Sequence, residues 1–295
     1  MQKIVTGGLN IMNTREILLA LVMKNKGDWT MTFQDLKNRN ILTDEEIQHY
    51  CSLNKEKYIT IIDEEYPQVL KGAFREPPFV LFYRGNLNLL KANNTNPDAP
   101  KTLLLAEDKP IKHINILKAT AAMLDTLSAD NVTLIMDVTP PTWHYLVPLG
   151  EQKYKYISVL PSAFDYDGTA ISDRSAYHGE YLLLSEYPNI PTEQNKTNDK
   201  IHKYRARHIA TGISTSVLYL AYTDMMDFDS SPSDIGAIPF SIGSEENRVF
   251  KNNLLIASGA TPIFDTASLM NFVGVGHELR KTLEHVPSEP DSSTL

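Results

Sequence analysis

The sequence predicts an α/β protein, a Rossmann-like and mostly parallel doubly wound sheet with a small N-terminal helical module. The first observation is a set of continuous apolar runs, such as 102–106 and 132–136, of the kind expected of a strand buried on both faces. The second is the helical periodicity between them, as in 111–127, where Ile114, Leu117, Ala121 and Leu124 recur at helical spacing. The third is that this alternation persists from Lys101 onward, which favours parallel strands joined by right-handed crossovers.

Ahead of the sheet, 14–25 joins an N-cap candidate, Thr14, to apolar Ile17, Leu18, Leu21 and Val22 at helical spacing. Shorter helices are expected at 32–38 and 43–53, the latter opened by Thr43 and Glu46 in the capping-box pattern. Residues 1–60 therefore read as a helical module. Residues 61–100 read as a lead-in segment and linker: an apolar strand within 77–87, then the turn formers Asn86, Asn88, Asn93, Asn94, Asn96, Pro97 and Pro100. In the main domain, 101–284, further strands are expected at 156–160, 181–185, 216–222, 235–240 and 261–264. Helices are expected at 202–211, at 245–258 with Gly259 as its C-cap, and from Thr266. The tail 285–295, rich in Pro, Ser, Glu and Asp, reads as disordered.

The 295 residues are 42% apolar and 22% charged, the composition of an ordinary globular protein with material for a sizeable core. A net charge of -8 argues against a generic nucleic-acid binder, although contacts depend on local clustering and not on the total. The single cysteine, Cys51, excludes an internal disulfide and a thiolate zinc site, and its helical setting suits a partly buried thiol. The first eight residues are too polar for a secretory h-region, and no apolar run approaches the ~20 residues of a membrane span. A cytoplasmic protein without a membrane partner is the expectation.

Ligands of open α/β sheets gather at the carboxyl ends of the strands. The loop 186–203 and the helix start after it place Lys196, Lys200, Lys203, Arg205 and Arg207 within twelve residues, interleaved with His202 and His208 and opposed only by Asp199. Cations on a loop or at a helix start suit backbone phosphates, and Tyr187 and Tyr204 offer faces on which bases can stack. A solvated basic helix is the alternative for the same residues. Asp137 ends the second parallel strand, where a dinucleotide fold binds ribose, but no G-x-G-x-x-G follows the first strand and no P-loop occurs. Asp165, Asp167 and Asp173, and Asp224, Asp227, Asp229 and Asp234, have the residue types for Mg²⁺ or acid–base work, yet read more simply as turns. With no H-E-x-x-H and no G-x-S-x-G, neither an enzymatic activity nor a cofactor is expected.

A tyrosine-proline run occurs twice, as Glu65-Tyr66-Pro67 before Phe79-Val80-Leu81-Phe82-Tyr83-Arg84-Gly85-Asn86-Leu87, and as Leu184-Ser185-Glu186-Tyr187-Pro188 before the basic segment. Together with 205–214, where Ile209, Gly212 and Ser214 fall in register, these blocks resemble the DNA-processing protein A (DprA) family over roughly residues 14–275. The resemblance implies a non-catalytic, dimeric protein that binds single-stranded DNA and hands it to a RecA-type recombinase in DNA uptake and recombination. With the basic cluster it implies a DNA contact at Lys196, Lys200, Lys203, Arg205, Arg207 and His208, although Ala206 and His208 stand where the family's two arginines would be and Arg205 and Arg207 are one residue out of register. For the implied self-association, Phe250, Leu254 and Leu255 are candidate helix positions. Three departures support a second reading. The family's Gly-Ser-Arg turn appears as Glu107-Asp108, its glycine-rich turn as the segment from Asp137 to Trp143, and the segment that should carry its Gly-Ser/Ala-Leu-Ile-Thr helix is reduced to 227–233. On that reading the scaffold lost its DNA site and serves as an interaction or small-ligand-binding protein.

Overall fold

The computed structural model describes residues 11–40, 42–73, 76–93, 101–107, 109, 111–127, 132–136, 155–164, 180–190, 199–223 and 234–274. Its centre is one sheet whose strands, in chain order, are β1 (Lys57–Thr60), β2 (Val80–Gly85), β3 (Thr102–Glu107), β4 (Thr133–Met136), β5 (Lys155–Leu160), β6 (Tyr181–Ser185), β7 (Ser216–Ala221), β8 (Asp234–Ala237) and β9 (Thr261–Pro262). Among the described residues the spatial order is β1-β2-β6-β5-β4-β3-β7-β8-β9. From β6 to β9 all neighbours are parallel, and only β2 runs against its neighbours β1 and β6. Chain order proceeds one way from β3 and the other way from β7, so the topological switch point lies between these two strands. This is the predicted Rossmann-like architecture.

Alternation along each strand divides two cores. On β3, Leu103 and Leu105 join the core beneath α5 (Ile114–Leu127) and α9 (Thr266–Val273), which supply Leu117, Leu124, Leu269 and Val273. Leu104 and Ala106 face the opposite side, against Ala206, Ile209 and Ala210 of α6 (Asp199–Gly212) and Leu70 of α4 (Gln68–Ala73). Both faces are dry, which is why the strand carries no polar alternation. The N-terminal helices are α1 (Ile11–Lys24), α2 (Trp29–Lys37) and α3 (Asp44–Leu53). The module docks through Leu18, Leu19, Val22 and Met23 onto Val80, Phe82, Leu160 and Leu183, so it covers the β2–β6–β5 side of the sheet.

Several boundaries differ from expectation, each for a local reason. The first helix begins at Ile11, so Thr14 lies inside it; the second begins at Trp29, capped by Asp28, whose carboxylate accepts from Met31 N–H at 2.8 Å. Strand β1 falls in the stretch read as helical and forms the sheet edge. The helix expected at 245–258 is two helices, α7 (Glu245–Val249) and α8 (Asn252–Ala257), separated by extended Phe250. The break lets Phe250 enter the core, 5% exposed, and lets fully buried Asn252 donate to the carbonyls of Tyr219, Leu220 and Ile238 while accepting from Tyr222 N–H. An unbroken helix would remove these side-chain bonds between α8 and the carboxyl ends of β7 and β8. The Thr43 capping box forms as expected, with Thr43 N–H on Glu46 at 2.8 Å. The expected tail lies outside the described residues, as do the linker residues 94–100.

The Arg84-Gly85-Asn86-Leu87 turn acts architecturally. Gly85 has φ +99°, and a Cβ there would lie 2.2 Å from the Tyr181 carbonyl oxygen. Arg84 pairs with Glu56, which ties β2 to the β1 edge, and Asn86 donates to Glu180 at 2.6 Å, which ties the end of β2 to the start of β6. The turn fixes where the lead-in strand joins the parallel sheet.

Candidate nucleic-acid interface

Helix α6 leaves the carboxyl edge of the sheet and runs back toward the start of β7, packing Ala206, Ile209 and Ala210 inward. Helical geometry then assigns Lys200, Lys203, Tyr204, Arg207 and His208 to the opposite face, at i, i+3, i+4, i+7 and i+8. Lys200, Lys203 and Tyr204 are exposed, while Arg207 and His208 are half-buried. Tyr204 and His208 stack with ring centroids 5.6 Å apart and planes 23° from parallel. Lys196 lies outside the described residues.

Arg205, named with them from sequence, points elsewhere. Its Nε and Nη2 donate to the two oxygens of Glu186, each at 2.6 Å, and Nη1 donates to Glu76 at 2.9 Å. Glu186 is 5% exposed, so the pair is a buried, bidentate tie from α6 to the end of β6, with Glu76 reaching it from the lead-in segment. Burial works against the guanidinium's charge, but the hydrogen bonds and charge of Glu186 outweigh it and hold Arg205 more firmly protonated than usual. Its donors are engaged by carboxylates, which makes Arg205 a positioning residue for the helix.

Both tyrosine-proline runs converge on this tie. Tyr66 is buried and donates to the Pro78 carbonyl at 2.8 Å. Tyr187, also buried, stacks on His202 with centroids 3.9 Å apart, and the His202 Nδ1 sits 3.0 Å from the Pro161 carbonyl at the end of β5. Burial, and then the charge of Glu186, pushes both phenols well above their usual range. Ser185 completes the turn: its hydroxyl donates to Ser162 O at 2.8 Å and accepts from Tyr187 N–H at 3.0 Å. The Ser-Glu-Tyr-Pro run therefore anchors the start of the basic segment. Sequence reading missed Glu186 and Glu76 as partners of Arg205, although the repeated tyrosine-proline run signalled the place.

At the switch point the acidic turn is only partly described. Glu107 is 7% exposed, its carboxylate accepts from Ile111 N–H at 3.3 Å, and its carbonyl oxygen is 3.5 Å from Arg207 Nη2. Asp108, 137–142, Asp165, Asp167, Asp173, Asp224, Asp227 and Asp229 fall outside the described residues. No group of three His, Cys, Asp or Glu side chains able to hold a metal ion occurs among the described residues. Nor, among them, is any helix long and apolar enough to cross a membrane.

A Rossmann-like sheet with an antiparallel lead-in strand, a docked helical module and a basic helix leaving the carboxyl edge defines a DprA-like fold. Solved structures of DNA processing protein A share it. DNA processing protein A from Streptococcus pneumoniae aligns with TM-score 0.58 at 20% identity, covering 87% of this chain and 92% of that one. DNA processing protein A from Helicobacter pylori, a protein with a described single-stranded DNA binding mode, aligns with TM-score 0.53 at 16% identity, covering 77% of this chain and 98% of that one. No family model matches the sequence, and no curated protein sequence does either. At these identities the likeness is one of fold.

Proposed function

We propose that this chain binds single-stranded DNA along the outward face of α6 and the loop before it, in a DprA-like, non-catalytic role. The observation that carries this reading is the single stripe of Lys200, Lys203, Tyr204, Arg207 and His208 at the carboxyl edge of the sheet, where open α/β folds take ligands. Lys196 is assigned to the same contact from the sequence cluster, and Arg205 holds the helix against the β6 turn. The fold shared with the Helicobacter pylori protein, which has a single-stranded DNA binding mode, supports the same assignment. In this role the bound strand passes to a RecA-type recombinase during DNA uptake and recombination in the cytoplasm. Two copies associate through the β8–β9 end. There Leu254 is 59% exposed and Phe264 70% exposed, whereas Phe250 is buried in the core and Leu255 half-buried.

Fluorescence anisotropy with a labelled oligothymidylate at two salt concentrations tests the reading. Affinity should fall steeply with salt, and Lys200→Ala with Lys203→Ala should make the log–log slope shallower by about 0.7 per removed contact. Absence of binding at low salt overturns it. That result would favour the second reading, a scaffold that binds a protein or small ligand, which the buried Glu107 at the switch point supports.

A further inference from the structure

Trp29 and Phe33, one turn apart on α2, stack with centroids 5.0 Å apart and planes 11° from parallel. Phe79 of the lead-in segment stacks on the same indole at 5.4 Å and 13°, and the Trp29 Nε1 donates to the Pro77 carbonyl at 2.8 Å. Three near-parallel rings are thus fixed at the surface, with Phe33 43% exposed and Met31 beside it 55% exposed. The Trp29–Phe79 end of the stack opens into a shallow cleft that reaches Glu186, so it adjoins the β6 turn from which the basic segment departs.

The turns on either side of α2 carry an oddity of their own. Helix α1 ends with Lys26 N–H on Met23 O and Gly27 N–H on Val22 O; α2 ends with Arg39 N–H on Leu36 O and Asn40 N–H on Asp35 O. Each is a Schellman motif, whose left-handed position glycine ordinarily fills. Here the residues are Lys26, φ 54°, and Arg39, φ 53°, the two non-glycine residues with positive φ among those described. Both are exposed, as is Lys37 one turn beyond Phe33. Asp35 is engaged by Lys24, Asn25 and Asn40. Cations therefore flank the rings on both sides, and two of them occupy backbone positions that glycine would fill with less strain.

We propose that this face of the N-terminal module is a second contact for the same single strand: an unpaired base stacks on the Phe33–Trp29–Phe79 platform, and Lys26, Lys37 and Arg39 hold the adjoining phosphates. The inference rests on the single-stranded DNA reading of α6 and extends the strand's path from that helix across the β6 turn to the module. A protein partner fits less well, because near-parallel rings with exposed cations in the turns at both ends of α2 match stacked bases and phosphates in both shape and charge.

The test uses the full chain and an oligothymidylate, with anisotropy measured for wild type, Phe33→Ala, Lys26→Gly with Arg39→Gly, and Lys200→Ala with Lys203→Ala. Phe33→Ala should weaken binding about tenfold, the scale of one lost base stack. The double glycine variant should keep or raise the melting temperature, since glycine suits both turns, yet lose affinity and make the salt slope shallower by about 0.7 per cation. An oligonucleotide carrying 5-iodouracil should crosslink to the tryptic peptide 27–37, a readout that does not depend on any variant folding. If wild type binds and the α6 variant weakens it, but the glycine variant binds like wild type and no adduct falls on 27–37, this proposal fails and the α6 reading stands. If wild type does not bind, both fail.

Discussion

Two parallel strands of this sheet end in a buried glutamate, and helix α6 extends an arginine toward each. After β6, Glu186 receives a bidentate pair from Arg205; at the end of β3, the Glu107 carboxylate accepts from Ile111 N–H, and Arg207 Nη2 lies 3.5 Å from the Glu107 carbonyl oxygen. Two cations two residues apart on one helix thus have different work. Arg205 closes a structural tie that fixes where the basic helix sits, and Arg207 stays on the outward stripe beside the switch point. The β6 turn is closed by a bidentate ion pair, whereas at the β3 turn the arginine contacts backbone.

Removing Arg205 breaks this contrast most severely. Arg205→Ala leaves the Glu186 carboxylate buried without its partner, and loss of one member of a buried pair costs about 3–5 kcal/mol. Urea denaturation should show a drop of that order. Replacing both members with apolar residues, Arg205→Met with Glu186→Leu, should recover most of the stability, because the penalty comes from the stranded charge and not from the lost attraction. A small effect of Arg205→Ala alone would return Arg205 to the ligand stripe.

Alkaline titration gives an intermediate effect at the same joint. Tyr66 and Tyr187 have folded pKa values raised above the ordinary 10.0, first by burial and then by Glu186. In the unfolded chain both phenols ionise near the ordinary value while the folded ones stay protonated, so the folded state binds more protons there. Their contribution is complete below that pH and falls as pH rises past it. Stability followed by circular dichroism should decline above pH about 10, and Tyr66→Phe with Tyr187→Phe should flatten the decline. An unchanged slope in that variant would place the titrating groups elsewhere.

Much of this was legible in the sequence, for identifiable reasons. Doubly buried strands such as β3 write their environment into near-continuous apolar runs, and capping residues such as Thr43 signal locally. Asn252 carries no such mark, because its role lies in carbonyls more than ten residues away in sequence, and so the 245–258 helix read as continuous. The candidate site was half legible for the same reason. The basic cluster stood out in sequence, but only Glu186, nineteen residues before Arg205, determines which of its cations faces solvent. A tertiary partner at that distance leaves no periodic trace.

The smallest effect is expected at the other turn. Glu107→Gln keeps an oxygen acceptor for Ile111 N–H, so its effect on stability should be smaller than that of Arg205→Ala. It removes a negative charge beside Arg207 at the switch point, so oligothymidylate affinity at low salt should rise modestly, and the gain should shrink as salt screens the pair. Arg207→Ala should abolish that gain if the strand runs over the β3 turn, since the neutralised site would then have no cation to release. If Glu107→Gln leaves affinity unchanged at every salt concentration, the strand does not cross this turn. Its path then keeps to the β6 side, and the difference between the two glutamates is one of position on the strand's route and not of charge.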